Sequence, residues 1–127
     1  RKKFVFNATN IKNKNVIIVD DTIVRGNVIR SIINNLKKLG ANEIHIRIPA
    51  PPIINKCQLG IAIKNKKELL MYNKTIKEAV QALKVDSLRY LTLDSLNSII
   101  PKEYYKEYFM EKDTDYPIQP VLPVLIE

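Results

Sequence analysis

The stretch Val16-Ile17-Ile18-Val19-Asp20-Asp21-Thr22-Ile23-Val24-Arg25-Gly26-Asn27 decides the fold. An unbroken β-branched run, Val16 to Val19, leads into two adjacent acids and then a turn that holds one glycine. Such a run suits a strand buried on both faces, as in a parallel sheet. The apolar residues that follow, Ile29, Ile32, Ile33, Leu36 and Leu39, fall on one face of a helix. Gly40 stands where a helix C-cap glycine belongs. Glu43-Ile44-His45-Ile46-Arg47-Ile48 then alternates polar with apolar residues and stops at Pro49, the pattern of a second strand. Strand, helix and strand over this distance form a βαβ unit, whose crossover is expected to be right-handed.

Working outward, Pro49-Ala50-Pro51-Pro52 can continue neither a strand nor a helix, so a loop begins there. Gly60 to Ile63 is expected to be a short strand and Lys66 to Tyr72 a short helix. Thr75-Ile76-Lys77-Glu78 reads as a capping box opening a helix with Ile76, Ala79, Val80 and Leu83 on its buried face. Ser87 to Leu93 is a further strand. Asp94 or Ser95 is expected to cap a short helix through Ile100, stopped at Pro101. Beyond it come tyrosines, charges and prolines, so 101–127 reads as an extended C-terminal tail behind a folded part at 1–100. The fold class is α/β, a mostly parallel sheet with flanking helices. Three or four strands are fewer than the mean sheet of about 5–6. A sheet standing without its partners would expose an edge and an apolar face.

Composition narrows the function classes. The chain has 127 residues, 46% hydrophobic and 27% charged, which is globular and not a disordered tail. Its single Cys can form no internal disulfide and no multi-cysteine zinc or iron–sulfur site. The net charge of +8 comes mostly from Lys scattered among Asn and Ile, as in Ile11 to Asn15 and Lys64 to Lys67. That distribution describes a solvated lysine-rich surface and no nucleic-acid footprint. No apolar run approaches the ~20 residues of a membrane-spanning helix. Arg1-Lys2-Lys3-Phe4 lacks the apolar stretch of a signal peptide. A reducing cytoplasm is the expected setting, with no membrane partner.

The chemistry concentrates at the end of the first strand. Ligands of open α/β sheets sit outside the carboxyl ends of the strands. Free N–H groups of a turn and of a first helical turn attract anions, phosphate above all. Gly26 allows close backbone approach or a positive φ. Adjacent carboxylates, Asp20 and Asp21, accept hydrogen bonds from sugar hydroxyls or help hold Mg²⁺ directly or through water. One segment therefore suits both ends of a phosphorylated sugar.

Val16 to Asn27 resembles the phosphoribosylpyrophosphate-binding signature of the type I phosphoribosyltransferases. Lys14 to Asn27, Gly40 to Ile48, Pro51-Pro52-Ile53, Cys57, Gly60-Ile61, Lys67-Glu68-Leu69 and Asp86 to Leu93 extend the likeness to the glutamine phosphoribosylpyrophosphate amidotransferase family, roughly over residues 2–100. The resemblance implies part of a type I phosphoribosyltransferase fold, the C-terminal part of that domain. It implies an amidophosphoribosyltransferase, a glycosyltransferase that makes 5-phosphoribosylamine in the first step of purine synthesis. Asp20 and Asp21 would be the catalytic acids, lying by the ribose hydroxyls and Mg²⁺. The loop Thr22, Ile23, Val24, Arg25, Gly26, Asn27 and Val28 would wrap the 5′-phosphate. The Arg25 side chain would either meet a phosphate or stand as a solvated turn residue.

The same resemblance fixes what differs. After Gly26 the family commonly has two Thr, or Asn then Thr, whereas here Val28 follows Asn27 and brings no hydroxyl. A missing charge-assisted hydrogen bond there would weaken phosphate binding by ~1.5–3 kcal/mol. Cys57 matches a position that in one branch ligates an iron–sulfur cluster with three other cysteines. One thiolate cannot hold such a cluster, so Cys57 is expected to be a buried or partly buried thiol. His45, mid-strand, is expected to be structural. The family's glutaminase half, which delivers glutamine-derived ammonia, and the earlier part of the transferase domain have no counterpart here. The chain is therefore expected to be the C-terminal end of a longer, homo-oligomeric protein. The alternative is a catalytically degenerate phosphoribosyltransferase-like binding module.

Overall fold

The computed structural model describes residues 7–55 and 62–100. Strand β1 runs Asn15–Val19, helix α1 Asn27–Lys38 and strand β2 Glu43–Ile48. Helix α2 (Ile76–Leu83), strand β3 (Ser87–Tyr90) and helix α3 (Leu93–Asn97) follow. Two short 3₁₀ turns, Ala8–Asn10 and Lys66–Glu68, complete the elements. The three strands form one parallel sheet in the order β1-β2-β3, so the βαβ unit read from the sequence is present.

Register explains the core. Val16 and Ile18 pair with Ile44 and Ile46, and Ile46 pairs with Leu88, so one face of the sheet is continuously apolar. Ile29, Ile32, Ile33 and Leu36 of α1, with Ala79 and Leu83 of α2, join that face in a single buried cluster. Ile46 at its centre has no exposed surface. Burying such a side chain is worth about 1.5–3 kcal/mol. Side chains add two further ties, one between α1 and α2 and one between β2 and the residue that precedes β3. Arg30 Nη1 donates to Ala82 O at 2.6 Å, and the Ile44 N–H donates to an Asp86 carboxylate oxygen at 2.7 Å.

The opposite face is another matter. It carries Ile17 and Val19, register partners of His45 and Arg47, which in turn pair with Ser87 and Arg89. The β1 run was expected to be buried on both faces, yet Ile17 is 62% and Val19 71% exposed. Among the described residues nothing covers that face. The run's composition fits a doubly covered strand, and the exposed apolar face anticipated for a short sheet is the result.

Local signals held where they were specific. Thr75 and Glu78 form both halves of the capping box: the Glu78 N–H donates to Thr75 Oγ1 at 3.2 Å and the Thr75 N–H to Glu78 Oε2 at 2.7 Å. Gly40 has φ +82°, as a C-cap glycine requires. Other expectations shift. The helix expected over Lys66 to Tyr72 is a 3₁₀ turn confined to Lys66–Glu68. β3 ends at Tyr90, three residues short of Leu93, because α3 already begins there. The α3 cap is Thr92 and not Asp94 or Ser95; its Oγ1 accepts the Ser95 N–H at 3.1 Å. Ala62 and Ile63 belong to no strand. Cys57, Gly60, Ile61 and the 101–127 tail lie outside the described residues.

Candidate functional site

Asp20 follows directly on β1, and its N–H donates to Arg47 O at 3.3 Å, carrying the ladder one residue past the strand. Asp20 is half-buried and Asp21 exposed. Each turns one carboxylate oxygen back onto the chain. Asp20 Oδ1 accepts the Asp21 N–H at 3.1 Å, and Asp21 Oδ1 accepts the Thr22 N–H at 2.8 Å. The acid pair is thus held at the carboxyl end of the sheet with oxygens to spare.

From there the chain runs over a cradle of its own residues. Ile23 is buried in the main core, and Val24 packs against the second cluster of Ile53, Ile63 and Leu69. The Leu70 N–H donates to Val24 O at 2.8 Å. Gly26, at φ +82° and ψ 2°, is the N-cap of α1 and makes no side-chain cap bond. Gly26 O accepts the Arg30 N–H at 3.0 Å, the first bond of the helix. Ahead of it, the N–H groups of Ile23 through Ile29 meet no protein acceptor among the described residues. No acid stands in the first turn of α1, while Lys37 and Lys38 stand in its last. The positive end of the helix dipole is therefore left for an external anion.

The Arg25 side chain is engaged within the chain. Its Nε donates to Glu68 Oε2 at 2.8 Å and its Nη2 to Ala62 O at 2.7 Å. The hydrogen bond from Arg25 is the main reason that Glu68 sits below the usual carboxylate range. Glu68, Ala62 and Leu70 are contributors that sequence reasoning missed. Only the quoted Lys67-Glu68-Leu69 hinted at them, and it carried no role. His45 is engaged on both ring nitrogens, Nδ1 by Ser87 Oγ at 2.9 Å and Nε2 by Glu43 Oε2 at 3.1 Å, which agrees with a structural part. Arg47, beside it, is held below the usual guanidinium range by burial and by the neighbouring Arg89.

The donor set bears on a cation. Among the described residues no three His, Cys, Asp or Glu gather into a metal cage. Two hard carboxylates beside a run of anion-seeking N–H groups instead fit Mg²⁺, which binds through one or two carboxylates together with substrate phosphates.

A parallel sheet with flanking helices, an acid pair at a strand end and a glycine turn opening a helix define this chain as part of a type I phosphoribosyltransferase fold. The comparisons with known proteins carry it further. The chain is 45% identical over 93 residues to the amidophosphoribosyltransferase of Methanocaldococcus jannaschii, covering 73% of this chain and 20% of that protein. It is 39% identical over 118 residues to the human amidophosphoribosyltransferase, covering 93% of this chain and 23% of the relative. The solved glutamine phosphoribosylpyrophosphate amidotransferase of Bacillus subtilis, complexed with ADP and GMP, superposes with a TM-score of 0.65 at 32% identity over 80% of this chain and 22% of that one. No protein-family model matches. The chain is homologous to the amidophosphoribosyltransferases and spans about a fifth of the relatives' length. Among the described residues, no helix is long and apolar enough to cross a membrane.

Proposed function

We propose that the loop Asp20 to Val28 binds phosphoribosylpyrophosphate, within a longer amidophosphoribosyltransferase that makes 5-phosphoribosylamine for purine synthesis. The observation that carries this reading is the run of N–H groups from Ile23 to Ile29, which follows the acid pair and meets no protein acceptor among the described residues. The 5′-phosphate takes its hydrogen bonds from this backbone, with Gly26 allowing the close approach. Asp20 and Asp21 accept from the ribose hydroxyls and orient the ring. Their negative charge stabilises the cationic character that develops at the anomeric carbon as the bond to pyrophosphate breaks and the bond to ammonia nitrogen forms. Mg²⁺, when bound near Asp20 and Asp21, neutralises charge on the departing pyrophosphate. Ammonia comes from glutamine through parts of the protein outside this chain. A cytoplasmic homo-oligomer is the expected form of the whole, and these residues represent the C-terminal part of its transferase domain.

Titrating the full protein with phosphoribosylpyrophosphate in the presence of Mg²⁺ tests the reading. Saturable binding with release of pyrophosphate on adding ammonia supports it. Binding without turnover supports the degenerate binding module, and absence of binding ends both. Val28 gives a graded check. It is the second residue of α1 and half exposed, so Val28→Thr places a hydroxyl in the first turn without disturbing the core. Affinity for the substrate is expected to rise by roughly tenfold or more, the value of a hydrogen bond to a charged group. An unchanged dissociation constant means that backbone groups alone hold the phosphate.

A further inference from the structure

Three successive residues of the phosphate-type loop are each fixed to one distant segment, 62–72, by a different kind of contact. Val24 O accepts the Leu70 N–H at 2.8 Å, and the Val24 side chain packs against the cluster that Ile63 and Leu69 of this segment form with Ile53. Arg25 reaches the segment at two points, Glu68 Oε2 at 2.8 Å and Ala62 O at 2.7 Å. Gly26 lies against Leu70, whose Cδ1 is 3.4 Å from where a Cβ would stand. Between β1 and α1 the loop has no ladder of its own, so these contacts determine its course. We propose that Arg25 and Glu68 are positioning residues: their ion pair clamps the loop onto segment 62–72 and presents its backbone N–H row, and the Arg25 guanidinium is not itself the phosphate ligand. This rests on the reading above that the loop takes the 5′-phosphate.

The two roles for Arg25 predict opposite signs. If the guanidinium were the ligand, Glu68 would compete with phosphate for it, and removing that carboxylate would tighten binding. As a clamp, the pair lowers the freedom that the loop must lose on binding, and removing the carboxylate weakens binding. The test uses the full protein as wild type, Glu68→Gln, Glu68→Asp, Arg25→Gln and the Glu68→Gln, Arg25→Gln double variant, each titrated with phosphoribosylpyrophosphate and Mg²⁺. Glu68→Gln is expected to weaken binding roughly three- to tenfold, with the double variant no worse than the weaker single, as for two residues acting through one contact. KM rises by the same factor while kcat changes little, and Glu68→Asp recovers part of the loss. Amide exchange of Leu70, whose N–H donates to Val24 O, quickens in the ligand-free Glu68→Gln protein while that of α2 does not, which separates a loosened loop from a loosened fold. Tighter or unchanged binding in Glu68→Gln, or losses that add in the double variant, overturns the clamp. A wild type that binds no phosphoribosylpyrophosphate overturns the functional reading and the clamp together, whereas normal wild-type binding with an insensitive Glu68→Gln overturns the clamp alone.

Discussion

Asp20→Asn combined with Asp21→Asn is expected to lower phosphoribosylpyrophosphate turnover by the full protein at least about 10²–10³-fold, the loss typical of removing one preorganised electrostatic group. The substitution removes charge and little else. Asn keeps an Oδ1, so the hydrogen bonds from the Asp21 and Thr22 N–H groups, at 3.1 and 2.8 Å, persist. Neither acid belongs to the buried core. The thermal midpoint should therefore stay within a few degrees of wild type while the reaction fails, since surface changes away from special features are usually within about ±0.5 kcal/mol. Turnover measured at saturating Mg²⁺ decides the matter. Activity near wild type would remove the acid pair from the chemistry, and a collapsed melting transition would show that the charges serve the fold instead.

How much of this was legible depended on how local each signal is. The β-branched run, the 3.6-residue period of Ile29 to Leu36 and the alternation of Glu43 to Ile48 are properties of short windows, and they produced β1, α1 and β2. The Thr75–Glu78 capping box is likewise complete within four residues. Two acids at a strand end and a glycine before a helix were visible for the same reason. The clamp was not. Arg25 and Glu68 lie 43 residues apart, and nothing in either neighbourhood announces the other. Only the fold, by bringing segment 62–72 beneath the loop, makes them partners. The cap of α3 failed for a subtler reason. Thr92, Asp94 and Ser95 are all competent caps, and the choice among them depends on where β3 ends.

The exposed side of β1 shows a third kind of limit. Val16 to Val19 reads as a strand covered on both faces because all four residues are apolar and β-branched. Helices α1 and α2 cover the face of Val16 and Ile18 and leave Ile17 and Val19 open. A sequence pattern reports the surroundings a strand is suited to, and the described residues supply one side of them. The acid pair continues from this strand, so its placement depends on Asp20 holding the ladder to Arg47, and β1 must keep that register whatever meets its open face.

Gly26→Val is expected to be the most damaging single change in the loop. Gly26 sits at φ +82°, a left-handed conformation in which a non-glycine residue costs about 1–2 kcal/mol, and a β-branched one more. The added Cβ would stand 3.4 Å from Leu70 Cδ1 and 3.8 Å from Ile29 Cγ2, and the branches of Val would reach beyond both. Leu70 also holds Val24 through its N–H, so displacing it disturbs the loop at a second point. Phosphoribosylpyrophosphate affinity is expected to fall by more than about a hundredfold, taking roughly 3 kcal/mol as the sum of backbone strain and loop displacement. Gly40→Ala is the control. Gly40 has the same φ of +82°, but its Cβ would meet only Lys12, at 3.5 Å, at the far end of α1. It should lose comparable stability for its strained backbone while binding substrate normally. Equal losses of affinity in the two variants would mean that general destabilisation, and not the shape of the turn at Gly26, governs the site. Gly26→Asn refines the comparison, because Asn tolerates left-handed backbone and so separates the strain from the bulk.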